Sequence, residues 1–326
     1  MILTFTSRFN GGNTLIKHAE KQAAAIDIGG SHIRCGVASR DKVGGIHDQP
    51  VFDCTRLAPL LPGLSHQIAR ILNTTDCAGL AVSFPGIVRN GQVLSTPRGK
   101  FEDAPDIDLA NWARTEFGLP LAIENDARMA LLGEASLGAA RQCRDVVMMT
   151  LGTGVGSAVL MDGKLLRGAH FQAGCLGGHI PVRFDGRRCI CGAIGCVEAE
   201  ASTWALGEIA REYVTDTDGD ILLPTRLDFA TVFRRSAQGE AFMCTLRDHC
   251  LQVWGAGLVG LIHAYDPSVI VLGGGVMAAR DQILPFLIDY VERHAFTWWG
   301  KPELRAATLG ADAALYGALP LLDERP

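Results

Sequence analysis

Several things are missing from this chain, and each absence removes a class of function. No stretch of the 326 residues approaches the roughly eighteen uninterrupted apolar positions of a membrane-spanning helix. The start, MILTFTSRF, has neither the basic opening nor the long apolar run of a signal peptide. There is no excess of positive charge: 30 Lys and Arg stand against 35 Asp and Glu, a net charge of −5. Nucleic acid and anionic membranes are therefore not expected partners. No low-complexity tract interrupts an ordinary globular composition of 48% hydrophobic and 20% charged residues. The pattern G-x4-G-K-[ST] occurs nowhere, which excludes a P-loop. These absences predict a globular chain of the cytoplasm, large enough for two lobes with separate cores.

Glycine and cysteine are plentiful. The ten Cys residues do not read as a disulfide framework, because Cys35, Cys54, Cys77, Cys143, Cys175, Cys244 and Cys250 are scattered through apolar surroundings in a long chain. The other three fall together in HIPVRFDGRRCICGAIGCVE, residues 179–198. His179, Cys189, Cys191 and Cys196 offer one imidazole and three thiols, and Gly192 and Gly195 allow the tight turns that converging ligands need. One residue separates Cys189 from Cys191, poor spacing for a mutual disulfide. Three thiolates and an imidazole make a closed tetrahedral set, so a structural Zn2+ is predicted. Glu198, two residues beyond Cys196, would then be held rigidly at a site edge.

The 38 Gly residues gather in pairs and triplets beside apolar runs. Ala23 to Asp27 predicts a strand, followed by Gly29-Gly30-Ser31 and a second strand from His32 to Ser39. The turn of such a hairpin exposes backbone N–H groups that can hold a phosphate oxygen. Residues 57–73 read as helix, Ala78 to Phe84 as a buried strand stopping at Pro85-Gly86, and Asp108 to Phe117 as a helix capped by Asp108. Leu119 to Ile123 predicts a strand that runs into Glu124-Asn125-Asp126-Ala127 and a helix to Leu137. Carboxylates and an amide at a strand-to-helix junction lie where open α/β sheets place ligands, although Asn125 or Asp126 could equally be a helix cap. Val146 to Leu151 is a strand, then Gly152-Thr153-Gly154-Val155-Gly156, then an apolar run to Met161. A dinucleotide fingerprint would need a third Gly at Ser157 and a helix after it, so that reading fails. Helices are expected over Ala199 to Tyr213, within 228–265, over 279–294 and from Asp312 to Leu322, with a polar loop at 214–226. Val269 to Leu272 predicts a strand ending in Gly273-Gly274-Gly275. Gly317 inside the last helix would cost about 1 kcal/mol relative to Ala, which close packing or a ligand would explain. The recurrence of strand, glycine turn, strand in both halves implies an internal duplication and two lobes around a nucleotide cleft.

Taken together and in this order, Asp27-Ile28-Gly29-Gly30, Glu124-Asn125-Asp126-Ala127, Leu151-Gly152-Thr153-Gly154-Val155-Gly156, the stretch from Gly177 to Glu198, and Gly273-Gly274-Gly275-Val276 resemble the ROK family of sugar kinases (repressor, open reading frame, kinase). The resemblance runs from about residue 23 to the end. It implies an α/β, two-lobed actin-like ATPase (ribonuclease H-like) fold with an ATP and sugar cleft between the lobes. The division expected is an N-terminal extension over 1–22, a small lobe over 23–123 completed by the C-terminal helix at 311–326, and a large lobe over 124–310 carrying the zinc loop at 179–198.

The activity implied is ATP-dependent phosphorylation of a hexose hydroxyl, normally the 6-hydroxyl. Asp126 matches the family's catalytic aspartate, the acceptor of the hydroxyl proton. Asn125, His179 and Glu198 match residues that hold sugar hydroxyls, with Pro85 and Gly86 lining the same pocket. His179 would give one ring nitrogen to zinc and the other to the sugar. Asp27, Gly29, Gly30 and Ser31, with Gly152, Thr153 and Gly154, match the phosphate turns. Gly273, Gly274 and Gly275 match the segment beside the adenosine, and Mg2+ would arrive with ATP. A homodimer is implied as well.

Two departures bear on the sugar. Many members carry Glu three residues before the zinc His, where this chain has Leu176 in a loop whose Ala173-Gly174 pair sits one residue early. After Ser95-Thr96-Pro97 many members have Asn, where this chain has Arg98. Buried hydroxyls left unpaired are costly, so the preference among epimers should differ. Separately, Ser95-Thr96-Pro97, Gly168-Ala169-His170, Gly178-His179-Ile180-Pro181 and Gly274-Gly275-Val276-Met277 resemble members of the family that act on D-allose, which implies D-allose or a related hexose as the leading expectation, with a glucokinase or N-acetylhexosamine kinase as alternative. A non-catalytic sugar-sensing regulator is the reading from another class. It is disfavoured because the roughly 22 residues before the first glycine turn are too few for a winged helix.

Overall fold

The computed structural model describes residues 21–51, 53–215 and 227–324. Nearly all of the expected N-terminal extension and the polar loop from residue 216 onward fall outside them. In chain order the elements are β1 (Ala23–Ile28), β2 (His32–Ala38), β3 (Val43–Pro50), α1 (Leu61–Leu72), β4 (Leu80–Phe84), β5 (Ile87–Arg89), β6 (Gln92–Ser95), α2 (Leu109–Phe117), β7 (Leu121–Asn125) and α3 (Asp126–Leu137). There follow β8 (Val146–Leu151), β9 (Val155–Met161), β10 (Lys164–Leu165), α4 (Val197–Ala201), α5 (Leu206–Thr215), α6 (Phe229–Ala237) and α7 (Ala241–Tyr265). The chain closes with β11 (Val269–Gly273), α8 (Arg280–His294), β12 (Glu303–Ala306), α9 (Ala313–Tyr316) and α10 (Ala318–Asp323). Among the described residues no helix is long and apolar enough to cross a membrane.

The strands form two five-stranded sheets, β3-β2-β1-β4-β7 and β10-β9-β8-β11-β12, and a small β5-β6 ribbon. Each large sheet begins with an antiparallel meander and continues with parallel strands. The duplication read from the glycine turns is thus a duplication of whole sheets. Both glycine turns are the β1–β2 and β8–β9 hairpin connections of their respective halves.

Strand periodicity divides the burial. Ile26, Ile28, Val82, Phe84 and Ile123 pack outward onto α1 and α2, whereas Ala23, Ala25, Ala81 and Ala122 join a central core with Val146, Met148, Val271, α3, α9 and α10. Val147, Met149 and Leu151 face the third core, built on α5, α6, α7 and α8. The alanines of the first sheet leave room for helices at the centre. There α3 and α9 cross so closely that a methyl on Gly133 would sit 2.0 Å from the Ala313 carbonyl oxygen, and one on Gly317 would sit 2.3 Å from that of Met129. This crossing, at the junction of the two halves, is the close packing that Gly317 foreshadowed.

Two expected helices are broken. The last one divides at Tyr316–Gly317 into α9 and α10. The one expected over Ala199–Tyr213 divides into α4 and α5, because the intervening residues bind elsewhere. Thr203 N–H and Oγ1 donate to the Gly152 carbonyl at 3.1 and 2.7 Å, and Trp204 N–H donates to that of Thr153 at 3.2 Å. Helical hydrogen bonds are exchanged there for a brace under the second glycine turn.

Candidate active site

Asp126 is the first residue of α3, where an anion is favoured by the unpaired N–H groups and the helix dipole. The cap itself is Asn125, whose Oδ1 accepts from Arg128 N–H at 3.2 Å. Asn125 Nδ2 donates to the Gly86 carbonyl at 3.1 Å and to Asp126 Oδ1 at 2.9 Å. Its amide therefore ties β7 to the Pro85-Gly86 corner while steering the carboxylate. Gly86 has φ +142°, and a methyl there would lie 2.2 Å from the Ser95 carbonyl oxygen, so only glycine lets the β5-β6 ribbon approach. Ala127 N–H also donates to Asp126 Oδ1, at 2.8 Å. Oδ1 is thus held by two donors, while Oδ2 accepts none among the described residues.

Asp126 keeps contact with solvent although protein surrounds it closely. Removal from bulk water pushes its carboxyl above the usual range, and the Ala127 N–H, the Lys100 ammonium and the Asn125 amide pull in the opposite direction. Asp27, at the end of β1, is raised to about 6, first by burial and also by the charge of Asp126, with a hydrogen bond from Ser83 opposing. That bond, Ser83 Oγ to Asp27 Oδ1, is 2.6 Å long. Two carboxyls that disfavour each other's ionisation therefore share one space, beside the Gly29-Gly30 turn.

The second turn is built differently. Glu198, buried in α4, accepts from Val155 N–H at 2.9 Å, and a methyl on Gly154 would fall 2.4 Å from its Oε2. One carboxylate oxygen thus braces the turn, and Oε1 is left to receive a donor. Beside Gly152-Thr153 opens a cavity of about 530 Å3, lined by Thr203, Phe229, Phe233, Gly275, Val276 and Gln282 among others. Its aromatic and aliphatic walls with a polar rim suit a flat heterocycle. Gly274 has φ +90°, and a methyl there would stand 2.2 Å from the Leu151 carbonyl oxygen. The Gly273-Gly274-Gly275 turn is thereby pressed against the end of β8.

His179, Cys189, Cys191 and Cys196 converge, with their ligand atoms all within 4.8 Å of one another. Cys189 Sγ lies 3.5 Å from His179 Nδ1 and Cys191 Sγ lies 3.7 Å from Cys196 Sγ. A tetrahedral ion with sulfur at about 2.3 Å and nitrogen at about 2.0 Å has sulfur–nitrogen edges of about 3.5 Å and sulfur–sulfur edges of about 3.8 Å. The four residues fit such an ion. His179 would bind through Nδ1, leaving Nε2 for another partner. Underneath, Glu200 is fully buried and accepts from Arg187 N–H at 2.6 Å and from the Arg187 side chain at 2.5 Å. The loop is therefore anchored independently of any metal.

Leu176 is 38% exposed and starts the short 3-10 turn Gly177–His179. Ser157, the residue that fails the dinucleotide fingerprint, fixes this loop: its hydroxyl donates to the Gly174 carbonyl at 2.7 Å and accepts from Gly177 N–H at 2.7 Å. A second clamp comes from Arg128, fully buried, which pairs with Glu124 at 3.1 Å. Its Nη2 donates to the carbonyls of Leu166, Phe171 and Ala173 at 3.1, 3.1 and 2.7 Å. Arg167 closes on the other oxygen of Glu124 at 2.7 Å. Ser83, Lys100, Arg128, Ser157 and Thr203 were not identified from the sequence. Only the acidic and amide cluster at 124–126 hinted that a basic partner must lie near.

With this geometry in view, the comparisons with known proteins are consistent. The ROK family profile matches residues 23–325. The chain is 28% identical over 314 residues to a glucokinase of Thermotoga maritima, covering 92% of this chain and 96% of that one. It is 29% identical over 301 residues to a beta-glucoside kinase of Klebsiella pneumoniae, covering 91% and 94%. The solved structure of a ROK family glucokinase from Streptomyces griseus, in complex with glucose and AMPPNP, superposes with a TM-score of 0.76 at 28% identity, covering 92% and 98%.

Proposed function

The chain belongs to the ROK family, and on that premise we propose that it is an ATP-dependent sugar kinase in which Asp126 is the general base toward a hexose hydroxyl, the 6-hydroxyl of the sugar. The observation that carries this reading is the asymmetry of the Asp126 carboxylate. Two protein donors fix Oδ1, and Oδ2 has no hydrogen-bond partner among the described residues. A base needs that: one oxygen held still, the other open to a proton.

In the reaction the sugar oxygen attacks the γ-phosphorus as its proton passes to Oδ2. The new oxygen–phosphorus bond forms while the bond to the β–γ bridging oxygen breaks, and its electron pair leaves with ADP. Burial raises the Asp126 pKa above the usual carboxylate range, which strengthens the group as a base. Gly29 and Gly152 close their turns, their N–H groups donating to the His32 and Gly154 carbonyls at 2.8 and 3.0 Å, and Gly30 and Ser31 on one side and Thr153 and Gly154 on the other offer backbone N–H groups to the phosphates. The cavity at Gly275 and Val276 takes the adenosine. Mg2+ bound with ATP would supply charge neutralisation on the phosphates, and Asp27, beside the first turn, is the carboxylate that would hold it.

Asn125, His179 and Glu198, with Pro85 and Gly86, orient the hexose. His179 Nε2 is available to a hydroxyl because Nδ1 faces the thiols, and Zn2+ at His179, Cys189, Cys191 and Cys196 would hold the ring in that pose. Leu176 offers no hydrogen bond where many family members have a carboxylate, which disfavours sugars that need a partner there. D-allose heads the substrate panel on the resemblance of segments such as Gly178-His179-Ile180-Pro181 and Gly274-Gly275-Val276-Met277 to kinases of that sugar, followed by glucose, N-acetylhexosamines and beta-glucosides. The test is ATP turnover over that panel with Asp126→Asn as control. Loss of about 10²–10⁴-fold in kcat at preserved thermal stability is expected. An Asp126→Asn variant as active as the parent would remove Asp126 from its role.

A further inference from the structure

We propose that Lys100 is a further catalytic residue, its ammonium contacting the transferred phosphoryl group between the Gly29-Gly30 turn and Asp126; this rests on the kinase reading above. Three observations meet there. The side chain lies directly over the turn: a methyl built on Gly30 would stand 2.7 Å from Lys100 Nζ, 3.0 Å from Cε and 3.4 Å from Cδ. The same ammonium is the positive charge that acts on the Asp126 carboxyl. And although it stands between the first phosphate turn and the base, it makes no hydrogen bond or ion pair among the described residues. The nearby cation Arg34 is already committed, to Asp48 at 3.3 Å and to the Ala311 carbonyl at 2.5 Å.

The local chain explains how a flexible residue is delivered so specifically. Gly99 at φ +74° and Phe101 at φ +49° bracket Lys100 in left-handed conformations. Gly99 N–H donates to Glu102 Oε1 at 2.9 Å, and Lys100 N–H donates to the Pro97 carbonyl at 3.0 Å. Phe101 is fully buried, its ring 5.4 Å from that of Phe84. The backbone is therefore fixed while the four-carbon stem reaches inward.

An in-line transfer spreads negative charge over the three outer oxygens of the moving phosphoryl group. Those oxygens must lie between the phosphate turn and the hydroxyl that Asp126 deprotonates. A preorganised ammonium at that point stabilises the transition state more than either ground state. Lys100 stays protonated throughout: the hydroxyl proton goes to Asp126 and the bridging electron pair to ADP. In the free protein the ammonium offsets the charge of the Asp126 carboxyl, whereas Arg34 is the cation that acts on Asp27.

The full chain and its Lys100→Met and Lys100→Arg variants decide the matter by two independent readouts. The first is steady-state turnover with the hexose the parent phosphorylates. Lys100→Met should lose about 10²–10³-fold in kcat with sugar KM within about threefold, and Lys100→Arg should recover at least about tenfold of that loss. The second is calorimetric binding of the magnesium complexes of AMPPNP and ADP, which needs no turnover. Lys100→Met should weaken AMPPNP about tenfold and leave ADP unchanged, because ADP lacks the γ-phosphoryl group. Equal affinities of parent and Lys100→Met for AMPPNP, or a loss shared equally with ADP, overturn the proposal. A parent inactive on every hexose would instead refute the kinase reading, while the binding measurement still decides the contact.

Discussion

The two sheets share one strand order, and each has its glycine turn after the first strand, but the turns carry opposite furnishings. In the first half the penultimate residue of β1 is Asp27, with Lys100 lying over the turn and Asp126 facing it. In the second half the corresponding place on β8 is Thr150, and the charge nearby is Glu198, turned into the backbone to hold Val155 N–H. One turn is faced by ionisable side chains not committed to its backbone, and the other is braced by Glu198 and from behind by Thr203 and Trp204. The comparison teaches that the duplicated backbone supplies a glycine turn on both sides, whereas the two carboxyls and the Lys100 ammonium gather at the first one. The second half also carries the Cys-rich loop, which has no counterpart in the first.

That last difference gives the largest expected effect. If the loop is organised by zinc, the protein as purified holds about one zinc per chain. Cys191→Ser should then remove most of it and lower the melting temperature markedly, since structural zinc in peptides binds with apparent energies of about 10–16 kcal/mol. Unchanged metal content and melting temperature in Cys191→Ser would leave the loop held by the Glu200 and Arg187 pair alone.

The junction between the halves comes next. Gly to Ala inside a helix ordinarily stabilises by about 1 kcal/mol. At Gly133 and Gly317 the added methyl meets backbone carbonyls, so Gly133→Ala and Gly317→Ala should each destabilise by about 1–3 kcal/mol. Urea titrations read the sign directly, and stabilisation by either substitution would mean that the two halves do not dock through this crossing.

The smallest effect sharpens the contrast between the turns. Asp27 is raised from 3.8 to about 6, so the folded chain holds that proton more tightly than the unfolded chain does. Stability therefore falls as pH rises from about 4 to about 6 and stays reduced above. Asp27→Asn abolishes the cost, and should stabilise by about 1–3 kcal/mol at pH 8 with the gain gone below about pH 4. Thermal melts at both pH values check it; a shift independent of pH would assign the effect to packing rather than charge.

Much of this was legible from residue order. Buried strands such as β1, β4, β8 and β11 announce themselves as short apolar runs that stop at glycine or proline, because a fully covered strand must be apolar throughout. The edge strands β3, β10 and β12 were not legible: β3 is largely exposed and contains two glycines, and the other two are only 2 and 4 residues long. The helix expected over Ala199–Tyr213 failed for a different reason, since its break depends on carbonyls fifty residues earlier at Gly152 and Thr153. In the site the glycine turns, Asp126 and the Cys-rich loop stood out because each is a local pattern. Lys100, Arg128 and Ser157 did not, because nothing in their immediate neighbourhood distinguishes them from ordinary lysine, arginine and serine.

The sequence alone therefore determined the family resemblance, the buried strands, the glycine turns and the four converging metal-type ligands, because each is written in residues close together or in a fixed order. Tertiary structure alone decided which cation lies over the first turn and how Arg128 grips the 166–173 segment. Those are contacts between residues 30 and 100, or 128 and 173. They exist only once packing has paid the entropy of bringing distant stretches of chain together.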